Sequence, residues 1–132
     1  MFKKLVILAL AAAVIGVATI PLWTSKVADN AFQRPLDPQS PGKVKEAMMV
    51  KIRLQRYKQA RVLAEKAIIY FPDCEEAPYF IYNAARCAEK EKEHQVAIFW
   101  YEKFIKRFPD HIWTTQAKNS LNKLKGMYGE TQ

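Results

Sequence analysis

Residues 56–73 read RYKQARVLAEKAIIYFPD, and residues 94–110 read HQVAIFWYEKFIKRFPD. Aligned on their shared ending, the two segments match at an offset of 37 residues. Ala60 falls on Ala97, Ala64 on Tyr101, Ala67 on Phe104, and Phe71-Pro72-Asp73 on Phe108-Pro109-Asp110. A period between roughly 20 and 50 residues is the signature of stacked structural repeats. Within each segment apolar residues recur at i, i+3 and i+4, the spacing of a helix with one buried stripe. The terminal proline stops each helix, since it lacks the N–H that another turn requires.

Working outward, each unit reads as two helices. Pro78–Lys90 carries Phe80, Ile81, Ala84, Ala85 and Ala88 on one side, and EKEKEH (89–94) is a polar turn. Val96–Phe108 follows, with Ala97, Trp100, Tyr101, Phe104 and Ile105 as its stripe. The alanines allow close approach of helices joined by a short turn. The first unit pairs a helix over Lys43–Arg56 with the one that ends at Phe71. Residues Ile112–Gly126 predict a fifth helix. Trp113, Ala117, Leu121 and Leu124 face inward on it, and Lys118, Asn119, Asn122 and Lys123 face outward, as in a helix that caps an array. Two repeats and a cap fall below the three usually needed for stability. The expectation therefore includes completion of the array by self-association, a protein partner or the membrane.

These residues resemble the tetratricopeptide repeat family. Counted back from the terminal proline, the family's small position in the second helix falls on Ala60 and Ala97. Its aromatic position falls on Ala64 and Tyr101, and its later small position on Ala67 and Phe104. The Gly/Ala position of the first helix falls on Met48 and Ala85, so the first repeat departs there. The FPD ending and the long period look like repeats of bacterial envelope proteins, of the outer-membrane assembly lipoprotein and cell-division coordinator types. The resemblance covers about residues 43–125 and implies an all-α fold of two helix-turn-helix repeats and a capping helix, with protein partners.

The N-terminal segment (1–23) is different in kind. Leu5–Trp23 reads LVILALAAAVIGVATIPLW, with no charge in 19 residues. At ~1.5 Å per residue it spans ~28 Å, near the ~30 Å thickness of a bilayer core. The sequence thus predicts a transmembrane helix. No good small-residue cleavage site follows it, because Lys26 and Asp29 occupy the −3 positions of the candidate cuts. Lys3 and Lys4 put its N-terminus in the cytoplasm and the domain in the periplasm of a bacterial inner membrane. A secreted periplasmic protein with a cleaved signal peptide is the alternative. Residues 24–42, with Pro35, Pro38 and Pro41, read as a proline-rich linker. Ser40-Pro41 reads as an N-cap followed by proline at the first helical position. The assignment is completed by a repeat domain at 43–126 and a tail at 127–132.

Net charge is +8, and the excess is concentrated in residues 43–66. Such a stretch attracts an acidic protein, anionic lipid or nucleic acid, or is simply a solvated face. From it Lys51, Arg53, Arg56, Lys58 and Arg61 are candidate partner contacts. Tyr82 and Phe99 join them as aromatic anchors, the residue type enriched at interfaces. Cys74 and Cys87, 13 residues apart on or beside one helix, are ~20 Å apart if helical, too far for a disulfide. His94 and His111 have no Cys or second His at metal-ligand spacing. No Gly-rich phosphate loop, nucleophile elbow or haem attachment motif is present. The sequence therefore predicts a non-catalytic protein-interaction module without cofactor or metal. As read here it is membrane-anchored, an accessory or assembly subunit of a bacterial envelope complex. Nucleic-acid or lipid binding through 43–66 is the competing expectation.

Overall fold

The computed structural model describes residues 1–128, the side chains of residues 15–19 and 21 excepted. The described chain is all-helical: α1 (Phe2–Gln33), α2 (Ser40–Arg53), α3 (Tyr57–Tyr70), α4 (Ala77–Lys90), α5 (His94–Arg107) and α6 (Thr114–Tyr128). Each helix packs on the next in sequence. α1 also touches α3, and α2 touches α4, as in a stacked array.

The 37-residue period governs the backbone in detail. α2 and α4 have the same length and start 37 residues apart, α3 and α5 do likewise, and α6 begins 37 residues after α4. The turn inside each unit places one residue in the left-handed region, Gln55 at φ 58° and Lys92 at φ 62°. The chain leaves the second helix in one conformation at Arg34 (φ −124°, ψ 65°), Phe71 (φ −130°, ψ 61°) and Phe108 (φ −125°, ψ 66°). Each of these residues precedes a proline, Pro35, Pro72 or Pro109. The proline ring disfavours the helical conformation for the residue before it, and at these three positions the helix ends there.

A third copy of this turn was not expected. It makes the second half of α1 the leading helix of the array. Thr24, Ala28, Ala31 and Phe32 are buried, and the Phe32 ring stacks on Phe71 at 5.8 Å. The supposed linker over 24–42 is thus mostly helix, and only residues 34–39 connect α1 to α2. The array has three helical hairpins, α1–α2, α3–α4 and α5–α6, and reaches the usual minimum without adding another chain.

The transmembrane expectation is overturned. Among the described residues, no helix is long and apolar enough to cross a membrane. The charge-free run does not end as a separate anchor near Trp23. It continues without a break into Lys26, Asp29 and the packed segment up to Phe32. A single-pass inner-membrane placement with a periplasmic domain falls with it. Residues 1–14 are exposed along their whole length.

Ser40 also departs from expectation. Gln39 is the N-cap of α2, with Pro41 inside the first turn. The buried Ser40 hydroxyl instead donates to the Arg34 carbonyl at 2.7 Å, and the Thr114 hydroxyl donates to the Phe108 carbonyl at 2.6 Å. Both tie the turn shut from the same register, where Ala77 has no hydroxyl to offer.

The core forms two layers that share α4. Phe80, Ala84 and Cys87 face a cluster with Ala28, Ala31, Phe32, Val44, Met48, Ala60, Ala64, Ala67 and Phe71. Ile81, Tyr82, Ala85 and Ala88 face a second cluster with Ala97, Tyr101, Phe104, Ala117 and Leu124. The apolar residues of α4 thus divide between two faces, where the sequence pattern placed them on one side. The sixth helix keeps its expected stripe, with Ala117 and Leu124 buried and Trp113 and Leu121 packed against them. Cys74 and Cys87 are free thiols, and Cys87 is buried.

Burial of ionisable groups in these layers sets a pH response. Burial pushes the Cys87 thiol up from 9.0 to about 12, and the Tyr79 hydroxyl from 10.0 to about 12. Burial and the hydrogen bond to Glu89 push Tyr101 up as well. These groups hold their protons in the folded state after the unfolded chain has lost them, so stability falls as pH rises above ~9. Lys51 works in the opposite direction. Its pKa is lowered, first by burial and then by Arg56, so its part of the stability rises as it loses its proton. Burial raises Cys74 and Tyr82 in the same direction, so the raised groups together outweigh Lys51, and thermal unfolding scanned from pH 8 to 11 should show a falling midpoint. A midpoint that is flat or rising over that range would contradict this placement of Cys87, Tyr79 and Tyr101.

Candidate interaction groove

Helices α2 and α4, the first helices of the two repeat units, and α6, the capping helix at the same register, line a shared face. Met49, Ile52 and Arg53 come from α2. Tyr79, Tyr82, Asn83 and Arg86 come from α4, Trp113 from the turn before α6, and Gln116 from the first turn of α6. Together they enclose a recess of about 270 Å³. A second recess of about 290 Å³ adjoins it across Tyr79 and Trp113, and is lined further by Lys45, Glu75, Glu76, Pro78 and His111.

The floor of the groove is aromatic. Tyr82 stacks on Trp113 at 5.0 Å and meets Phe104 at 5.4 Å, and Tyr79 lies 6.3 Å from Trp113. The backbone N–H of Trp113 donates to His111 Nδ1 at 3.2 Å, which fixes the turn leading into α6. The buried Asn83 donates Nδ2–H to the Tyr79 carbonyl at 2.9 Å. Two cations lie over the rings, Lys45 4.7 Å from the Tyr79 centroid and Arg86 5.9 Å from that of Tyr82.

The residues singled out from the sequence separate into three groups. Arg53 and Tyr82 come together in the groove. Lys51 and Arg61 are structural. Lys51 is 3% exposed and donates to Ser25 of α1 at 3.2 Å and Gln59 of α3 at 3.1 Å, joining three helices. Arg61 is ion-paired to Glu65 at 2.9 Å and Glu91 at 2.6 Å. Burial works against its charge, but the hydrogen bonds to Glu91 and Glu65 win and hold it more firmly protonated. Arg56, Lys58 and Phe99 form the third group, exposed and outside the groove lining. Phe99 is 49% exposed and packs on Trp100 and under the Lys103 amine, so it is not beside Tyr82.

Residues 43–66 therefore do not present one basic face. Besides Lys51 and Arg61, Lys66 lies 4.4 Å from the Phe32 ring centroid and Lys45 covers Tyr79. Replacing Arg61 with alanine leaves the largely buried Glu91 without its partner. The pair is partly solvated, so the expected loss is about 1–3 kcal/mol, between surface and buried ion pairs. Urea unfolding measures it; a loss below about 0.5 kcal/mol would return Arg61 to the surface class.

Among the described residues, no group of three or more His, Cys, Asp or Glu side chains gathers as a metal site. The His94 ring stacks on Tyr128 at 3.7 Å, and His111 lies among Phe104, Phe108 and Trp113.

Fold and groove together define a class: a short array of helical hairpins that presents an aromatic, cation-rimmed channel. Comparison with family models, curated proteins and solved structures finds no match to this chain.

Proposed function

We propose that this chain is a non-catalytic protein-interaction module of the tetratricopeptide-like kind, an accessory or assembly subunit of a larger complex. The observation that carries the reading is the groove, where residues from α2, α4 and the start of the capping helix converge on one channel. A single recess of about 270 Å³ is small for a cofactor or metabolite site, which usually needs ~300–1,000 Å³. Two recesses in file, open along the helices, suit a length of polypeptide. From Pro78 to Arg86 the α4 axis advances ~12 Å, room for about four extended residues.

Tyr, Trp and Arg are also the residue types that dominate binding hot spots, and all three line the groove. The test is affinity isolation of the full chain from its own cells, alongside a chain with the exposed groove positions Arg53→Glu and Arg86→Glu. The reading expects defined proteins with the first chain and their loss with the second. Recovery of the same proteins with both, or of none with either, would count against it.

A further inference from the structure

We infer that the groove selects an acidic segment of its protein partner with an aromatic or branched apolar side chain beside the carboxylate, and holds it in one direction; this rests on the groove reading above. Charge sets the preference. In the first recess the only charged side chains are Arg53 and Arg86, with no carboxylate in the lining. Among the described residues neither guanidinium takes part in an ion pair, whereas Arg61 and Arg107 do. The Arg86 guanidinium lies 5.9 Å from the Tyr82 ring centroid on an exposed side chain, and its N–H groups remain available. A guanidinium offers a planar fork of donors that matches a carboxylate, and a charge-assisted bond of this kind is stronger than a neutral one. Beside an aromatic floor, the pair of like charges disfavours a cationic segment.

The second recess has the opposite balance. Glu75 and Glu76 are set there against Lys45, whose amine lies on Tyr79. The channel is thus positive at its Arg53–Arg86 end and acidic at the other. An occupant with a carboxylate, then an aromatic or branched apolar side chain, then a neutral or basic residue matches it in one orientation. The apolar side chain has Met49, Ile52 and Trp113 to rest on. In the reverse orientation carboxylate meets carboxylate.

The experiment is selection of a displayed library of random 12-residue peptides on the full-length chain. The recovered peptides are expected to be enriched in Asp or Glu within a few residues of an aromatic or branched apolar residue. A synthetic peptide from that pool should weaken roughly tenfold against Arg53→Glu/Arg86→Glu, and weaken further with added salt. The milder Arg53→Gln/Arg86→Gln pair, checked by circular dichroism for native helicity, gives the same comparison if the reversed charges disturb folding.

The outcomes separate the two claims. Peptides that depend on the groove positions but show no acidic enrichment overturn the charge selection and leave the groove reading standing. Peptides whose binding ignores all groove substitutions, or a library that yields no binder, overturn both.

Discussion

A chain that begins at residue 15 is expected to unfold at the same temperature as the full chain, and one that begins at residue 35 to lose cooperative folding. The first deletion removes only exposed residues. The second removes Thr24, Ala28, Ala31 and Phe32, all buried, and with them the cover over Val44, Ala47 and Met48. Phe32 meets Tyr70 at 5.2 Å and Phe71 at 5.8 Å, and its loss alone matches a Phe→Ala core change of about 3–5 kcal/mol. Lys51 would also lose its Ser25 partner while remaining next to newly exposed core. The sum approaches the whole stability of a small domain, about 5–15 kcal/mol. Circular dichroism melts of the two chains decide the matter. A cooperative melt of the shorter chain near the full-length midpoint would show that α1 is an appendage.

The second large effect lies in the other layer. Phe104→Ala is expected to cost about 3–5 kcal/mol, measured by urea unfolding. Phe104 has no exposed surface, and its ring meets Tyr82 at 5.4 Å, Phe108 at 5.6 Å and His111 at 5.4 Å. The equivalent position in the preceding unit is Ala67, also fully buried. The two layers therefore fill the same site with different volumes, and the second cannot shrink to an alanine without leaving a cavity. Because Tyr82 rests on Phe104, the variant should also loosen the groove floor. A loss below about 1 kcal/mol would mean that the layer collapses to fill the space.

How far the sequence could be read differs by element. Helices α3 to α6 were legible because two periodicities agree there, the 3.6-residue stripe and the 37-residue repeat. The alanines that let α3 and α4 approach, Ala60, Ala64, Ala67 and Ala84, are all fully buried. The second half of α1 was hidden by its neighbours. A charge-free run before it reads as an anchor, and three prolines after it read as a tether. The available signal was the spacing of Pro35, Pro72 and Pro109, one period apart. Within the site, Arg53 and Tyr82 were recognisable as a cation and an aromatic on helices. Met49, Arg86 and Gln116 were not, because they share a face only once three distant helices stack. Applied to α2, α4 and α6, the 37-residue offset relates Met49 to Arg86 and Tyr79 to Gln116, and so points to the common face. Lys51 and Arg61 misled because charge alone does not reveal a buried amine or a carboxylate 30 residues away.

The most direct test of the account places a photo-crosslinking benzoylphenylalanine at Gln116 in the groove and, in a second chain, at Phe99 outside it. Both positions are exposed, so neither replacement disturbs a packed layer. After irradiation of each full-length chain in its own cells, the account predicts a discrete protein adduct from position 116, abolished by Arg53→Glu/Arg86→Glu, and none of comparable yield from position 99. Adducts from position 99 alone, or from position 116 with no response to the groove substitutions, would contradict it.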